Sequence, residues 1–289
     1  MVRHPLAALA LLTLSVALLP TPAPAAELYF IQHGLDPTPE GNVTRFSLHR
    51  ADPDGAGSEE LAHDMRSTPQ FGQMAVSEGR VYWRDLNDET HAATSGGTLL
   101  GTVVAPAQVE GVVFGRPSDA AGAYRYFFRT SGDGFDEIVR GTRDSGGGGE
   151  TLVRVPAVGR PGPILLDESA GKIYWAVTSE TVGTVQRANL ADGSGVETLI
   201  EGLPQIDDAL DLALDPAGGK LYVADPTRTR ILRANPDGTG VETVITGPYP
   251  YGIAFDPVTI PEPGAAAFAG VVTALAMRRR SIPHRRSPL

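Results

Sequence analysis

Cysteine is absent from the 289 residues, so no disulfide braces the chain and any folded body must stand on its core alone. The signatures of common chemistry are also missing. There is no Gly-x-Ser-x-Gly elbow, and Gly146 to Gly149 lacks the Lys-Ser/Thr ending of a phosphate loop, which argues against a hydrolase and a nucleotide enzyme. Beyond His4, the histidines are His33, His49, His63, His91 and His284. None stands at zinc-ligand spacing from another histidine or an acidic partner, so all five read as surface residues. Positive charge is scarce. Six of the 24 Lys and Arg (Arg3, Arg278, Arg279, Arg280, Arg285, Arg286) and one of the 34 Asp and Glu (Glu262) lie in the two ends, and the body between them carries a net charge near −15. Such a surface repels nucleic acid and anionic head groups and favours solubility and cationic partners.

Both ends read as processing segments. Arg3 and His4 precede an apolar run from Leu6 to Leu19, and Ala23-Pro24-Ala25 offers the small-x-small pattern of a signal peptidase site, so residues 1–26 read as a secretory signal peptide. At the other end, Pro261-Glu262-Pro263 precedes fourteen uncharged residues, Gly264 to Met277, and then Arg278-Arg279-Arg280. Roughly 20 apolar residues are needed to cross a bilayer, so this Ala/Gly-rich span suits transient insertion better than a permanent anchor. The arginines would stay on the cytoplasmic side and leave the body outside.

This tail, residues 258–289, resembles the PEP-CTERM sorting signal of Gram-negative bacteria: a Pro-Glu-Pro motif, a short membrane span and an arginine cluster, in that order. The resemblance implies an exosortase-like sorting peptidase as partner. It also implies a route through the inner membrane to the cell surface, the outer envelope or the extracellular space.

Between the ends the sequence repeats. Gly171-Lys172-Ile173-Tyr174-Trp175, Arg187-Ala188-Asn189 and Asp192-Gly193-Ser194-Gly195-Val196-Glu197-Thr198 recur as Gly219-Lys220-Leu221-Tyr222-Val223, Arg233-Ala234-Asn235 and Asp237-Gly238-Thr239-Gly240-Val241-Glu242-Thr243, 45 to 48 residues later. Weaker copies surround Tyr82-Trp83, Tyr126 and Arg50-Ala51-Asp52-Pro53-Asp54-Gly55. Five units result, with their aromatic strand positions at Tyr29, Tyr82, Tyr126, Tyr174 and Tyr222. In the best copy, Leu212 to Asp215, Lys220 to Ala224, Arg230 to Ala234 and Val241 to Thr246 alternate or run apolar between turn signals. Four short strands in about 46 residues describe one blade of a propeller. Residues 27–257 are therefore expected to form an all-β propeller of four-stranded blades.

The Tyr-Trp strand and the Asp-Gly hairpin resemble the YWTD repeat of the low-density lipoprotein receptor family. Tyr82-Trp83-Arg84-Asp85 keeps the first, second and fourth motif positions, Tyr222-Val223-Ala224-Asp225 the first and fourth, and Tyr174-Trp175-Ala176-Val177 the first two. The resemblance implies a β-propeller, usually of six blades, against five counted here. A propeller must also close its ring. Tyr251 to Phe255 repeats the opening strand of a unit, while the mature N-terminus begins at a second strand, Glu27 to Ile31. One blade is expected to be shared by both termini.

The turns at Asp52 to Gly55, Asp192-Gly193 and Asp237-Gly238 could offer oxygens to calcium, but they recur at one place in several units, as a backbone requirement would dictate. Tyr82, Trp83, Tyr174, Trp175 and Tyr222 recur likewise and read as packing between blades. Two functions remain open. One is a non-enzymatic binding or scaffold module for a protein or glycan at the cell surface, without cofactor. The other is a lactonase- or lyase-type enzyme with calcium or another divalent metal in the central channel, where Asp167, Asp211 and Asp215 are the candidate acids.

Overall fold

The computed structural model describes residues 26–256, apart from 39–40, 64, 66–68, 105–122, 143–147, 157–158, 180–182, 204–210, 216 and 248. The signal-peptide segment and the tail with Pro261, Glu262, Pro263 and Arg278 to Arg280 lie outside the described residues.

Strands run between turns every few residues and pair antiparallel into five sheets among the described residues. Blade I joins β19 (Pro250–Phe255) to β1 (Leu28–Thr38), β2 (Gly41–Ala51) and β3 (Glu59–Ala62). Blade II holds β4 (Pro69–Ser77), β5 (Arg80–Asp85), β6 (Thr90–Thr94) and β7 (Leu99–Thr102). Blade III shows three strands, β8 (Tyr124–Thr130), β9 (Phe135–Thr142) and β10 (Glu150–Pro156). Blade IV holds β11 (Gly159–Asp167), β12 (Lys172–Ser179), β13 (Gly183–Asn189) and β14 (Glu197–Leu203). Blade V holds β15 (Asp211–Asp215), β16 (Lys220–Asp225), β17 (Arg230–Ala234) and β18 (Glu242–Thr246). The fold is a β-propeller, and its ring closes as the repeat register requires: Leu28 pairs with Phe255, Tyr29 with Ala254 and Phe30 with Ile253.

In blades II and V burial falls toward the outer edge. β16 is buried at five of its six residues, whereas outermost β18 and β7 have none buried. A middle strand is covered on both faces by neighbouring blades, which is why Leu221, Tyr222, Val223 and Ala224 are apolar or aromatic in succession rather than alternating with polar residues. Most of the repeated aromatics fill interblade clusters, whereas Tyr82 packs with Ala75, Ala92 and Val103 of its own blade. Trp83 packs with Tyr29, Ile31, Phe46 and Leu48 of blade I. Trp175 packs with Tyr126 and Ile138 of blade III, Tyr174 with Leu212 and Leu221 of blade V, and Tyr222 with Leu28, Phe30 and Ile253 of blade I.

The turn joining the two outer strands of a blade does more than reverse the chain. Gly193 and Gly238 have φ of +69° and +81°, which a side chain would resist. A Cβ at Gly193 would overlap the Leu152 carbonyl of blade III, and one at Gly238 the Leu199 carbonyl of blade IV. Gly55 meets the Val244 carbonyl and Gly97 the Leu61 carbonyl in the same way. At four joints, glycine lets a turn seat directly on the backbone of the preceding blade's outermost strand.

A second device crosses the same joints. Opposite the repeated tyrosine stands an arginine: Tyr126 pairs with Arg140, Tyr174 with Arg187 and Tyr222 with Arg233. Arg140 donates to the Ala191 carbonyl (3.1 Å), Arg187 to that of Pro236 (2.6 Å) and Arg233 to that of Pro53 (3.0 Å), each in the next blade's turn. Each also pairs with a glutamate on its own outer strand: Glu150, Glu197 or Glu242.

Candidate functional site

The innermost strands β4, β11, β15 and β19 surround a cavity of about 400 Å³. Its walls are mainly apolar: Met74, Val76, Leu166, Leu212, Leu214 and Phe255 among them, with Asp167, Glu168 and Ser169 at one end. These strands offer apolar walls because each also packs against its neighbours, β19 against β4 and β15, and β15 against β11.

The acids expected at the channel do not converge. Asp167 and Asp215 end their strands and fold the following turns, Asp167 accepting from Ser169 Oγ (2.6 Å) and Ala170 N (2.9 Å), Asp215 from Ala217 N (3.0 Å) and Gly218 N (2.8 Å). Asp211 stands at the opposite end of β15 from Asp215. One of its oxygens accepts from its neighbour Leu212 N, and the other from Ile253 N of the closing strand, both at 2.8 Å. Gly252 lies beside it, where a Cβ would crowd the Met74 Cβ at 3.3 Å but meet the Asp211 Oδ2 at an ordinary 3.6 Å. Burial pushes the Asp211 carboxyl up to about 7, because no cation among the described residues sits beside it to offset the loss of water.

The acidic turns hold their own backbone. Asp192 accepts from Ser194 N and Oγ, Asp237 from Thr239 N and Oγ1, and these bonds keep both carboxyls below the ordinary range.

The histidines require a correction. His63 is exposed, but His33, His49 and His91 are partly buried. His33 stacks on Phe46 and meets Tyr249 and Tyr251 edge-on, and its Nε2 is buried without a hydrogen bond. His49 stacks on Phe30, and burial lowers its pKa. His91 does have acidic partners: its Nε2 lies 3.1 Å from Asp85 Oδ2, and ligand atoms of Asp85, Glu89 and His91 all fall within 4.8 Å of one another. Reading for ligand pairs at helix or zinc-finger spacing misses this set. A hairpin folds Asp85 back over Glu89, and strand alternation then puts Glu89 and His91 on one face. The available signal was Asp-x-x-x-Glu-x-His across a turn.

No family model matches the chain. A stretch of 89 residues is 34% identical to the low-density lipoprotein receptor-related protein 1 of Pyricularia oryzae, covering 29% of this chain and 28% of that protein. The repeat is YWTD-like. A chain of a nidogen/laminin complex aligns over 80% of this chain and 98% of its own, at 16% identity and a TM-score of 0.44. TolB from Acinetobacter baumannii aligns over 81% of this chain and 67% of its own, at 13% identity and a TM-score of 0.45. The periplasmic gluconolactonase PpgL of Pseudomonas aeruginosa aligns over 80% of this chain and 70% of its own, at 14% identity and a TM-score of 0.34.

Proposed function

We propose that this chain is an exported, non-enzymatic binding propeller that takes an apolar group of its ligand into the central channel and is delivered to the cell surface by its tail. The observation that carries the binding reading is the channel itself. Its described walls are mainly aliphatic and aromatic, with Asp167, Glu168 and Ser169 at one end, while Asp167, Asp211 and Asp215 are bound to backbone or turn groups and Asp211 stands at the opposite end of β15 from Asp215. An apolar pocket with few polar groups suits desolvation of a ligand better than polarisation of a substrate.

The test uses an apolar fluorescent probe, anilinonaphthalene sulfonate, with the native-folded protein. One saturable site is expected, weakened at least tenfold by Leu214→Lys, a partly exposed wall position, while thermal unfolding confirms that the variant folds. Hydrolysis of simple lactones should stay at background with calcium, manganese or zinc. Metal-dependent turnover that Asp167→Ala abolishes would replace the binding reading with the enzymatic one.

Export rests on the ends of the sequence. Mass spectrometry of released protein should find a start near Ala26 or Glu27 and no peptides beyond about Gly264. Recovery of peptides containing Ser281 or Ile282 would defeat the sorting proposal.

A further inference from the structure

Blade II departs from blade V at the motif aspartate and from blade IV two residues farther on, and both departures point at the same carboxylate. In blade V the motif aspartate, Asp225, is fully buried, and the residue opposite it is Arg230, whose Nε donates to Asp225 Oδ2 at 2.9 Å. A cation thus neutralises the carboxylate that the fold has taken out of water. In blade II the equivalent Asp85 is 2% exposed, but the residue across the hairpin is Glu89, whose carbonyl accepts from Asp85 N at 3.0 Å. The expected cation has become a second carboxylate.

The second departure lies two residues on. Blade IV places Gln186 opposite Trp175, and its amide oxygen takes the indole N–H at 3.1 Å. Blade II places His91 opposite Trp83. The imidazole stacks on the indole, 5.9 Å between centroids and 18° between planes, and directs Nε2 to Asp85, leaving the buried Trp83 N–H unpartnered. His91 therefore serves Asp85 at the expense of the tryptophan. Asp85 Oδ1 is already held by the backbone N–H groups of Asn87 and Glu89, both at 2.9 Å, which fixes Oδ2 toward His91.

We propose that Asp85, Glu89 and His91 bind a divalent transition-metal ion of the zinc or manganese class, which takes the place that a guanidinium occupies in blade V. One imidazole and two carboxylates are a donor set for such ions rather than for calcium, which prefers oxygen alone. Glu89 is exposed, so the site opens to solvent and leaves coordination positions for water. Thr102 Oγ1 donates to Glu89 Oε2 at 3.4 Å and orients it from β7. The ion would tie β5, β6 and β7 together at the rim of the blade.

The experiment uses tag-free, metal-stripped protein, zinc or manganese ions alone as the probe, calorimetric titration and thermal unfolding. One ion per chain and a rise in melting temperature are expected, and cobalt substitution should give visible bands sensitive to His91. Glu89→Gln and His91→Gln should each weaken binding at least tenfold. Glu89→Arg should restore the ion pair of blade V, raising the melting temperature of metal-free protein while abolishing the response to metal. Absence of saturable binding by either ion, or binding unchanged in Glu89→Gln and His91→Gln, would overturn the proposal. The outcome is independent of the channel reading, because none of the three residues lines the channel cavity.

Discussion

Where blade V meets blade I, three groups converge on one turn: Arg233 and the Tyr222 hydroxyl both donate to the Pro53 carbonyl, at 3.0 and 2.7 Å, and Gly55 lies against the Val244 carbonyl. Where blade I meets blade II, Gly97 lies against the Leu61 carbonyl in the same manner. The arginine there, Arg50, gives its guanidinium to Glu27 and Glu59 of its own blade. Blade II itself has Ala92, fully buried, at the arginine position opposite Tyr82. The comparison separates what a joint requires from what strengthens it. Among the described residues, backbone clearance at the turn recurs at four joints, whereas the arginine latch is kept at three, Arg50 being drawn to its own blade's glutamates and blade II having Ala92 in its place.

The most damaging way to break the comparison is to open the ring. Truncation after Gly247 removes β19, which is at once the inner strand of blade I and the surface against which β4 and β15 pack. The melting temperature should fall by more than about 10 °C, a loss of several kcal/mol in a domain of this size. A chain ending at Val258 keeps β19 and should melt like the full-length protein. Equal melting of the two would mean that each blade stands without closure.

Next in size is the clearance itself. Gly238→Val adds a side chain at φ +81° and forces it into the Leu199 carbonyl, which should cost about 3 kcal/mol in denaturant unfolding. Gly132 has φ +76° but nothing within 4 Å of a Cβ, so Gly132→Ala should cost only the backbone term of about 1 kcal/mol. Similar losses would show that interblade approach adds nothing to turn strain.

Asp211 links blade V to the closing strand and yields a pH test. Its folded pKa of about 7 lies above the unfolded value of about 3.9, so the native state holds a proton that the unfolded chain has released. The contribution is fully favourable below about pH 4 and is lost as pH rises toward 7, by up to about 4 kcal/mol. Asp85, Asp133, Asp192 and Asp237 have lowered pKa values, which gives the opposite sign at more acidic pH, outside this window. Asp211→Asn keeps an acceptor for Ile253 N and removes the ionisation. His49, whose pKa burial lowers, acts with the opposite sign as pH rises toward 6.5, and Asp256, raised by burial, with the same sign as Asp211. The melting temperature of the variant should therefore decline clearly less than the parent's between pH 5 and 7.5. Parallel curves would rule Asp211 out as the source of the slope.

Much of the fold was legible because its causes are local and periodic. Tyr29, Tyr82, Tyr126, Tyr174 and Tyr222 recur at one strand position, and the repeat of a unit's opening strand at Tyr251 to Phe255 foretold that both termini share one blade. The seating of the turns was not legible. Asp-Gly explains a positive φ, but nothing in Asp237-Gly238 indicates that Leu199 of another blade occupies the space beside it. The cluster of Asp85, Glu89 and His91 was missed for a related reason: it becomes visible when the residue opposite each motif aspartate is compared between blades, and strand pairing must be known for that.

The smallest expected effect sharpens the contrast between turn acids and the blade II cluster. Asp237 accepts from Thr239 N at 3.0 Å and from Thr239 Oγ1 at 2.6 Å through a single oxygen. The amide oxygen of asparagine can accept the same two bonds, and asparagine is well suited to such turns. Asp237→Asn should therefore shift the melting temperature by less than about 2 °C, and Asp192→Asn, with Ser194 in place of Thr239, should behave alike. Calcium titration gives the decisive reading: a structural carboxylate predicts identical calcium responses in variant and parent. If Asp237→Asn removes a calcium-dependent rise in melting temperature, the turn is an ion site, and its recurrence in the repeats then reflects ligand binding as well as chain reversal.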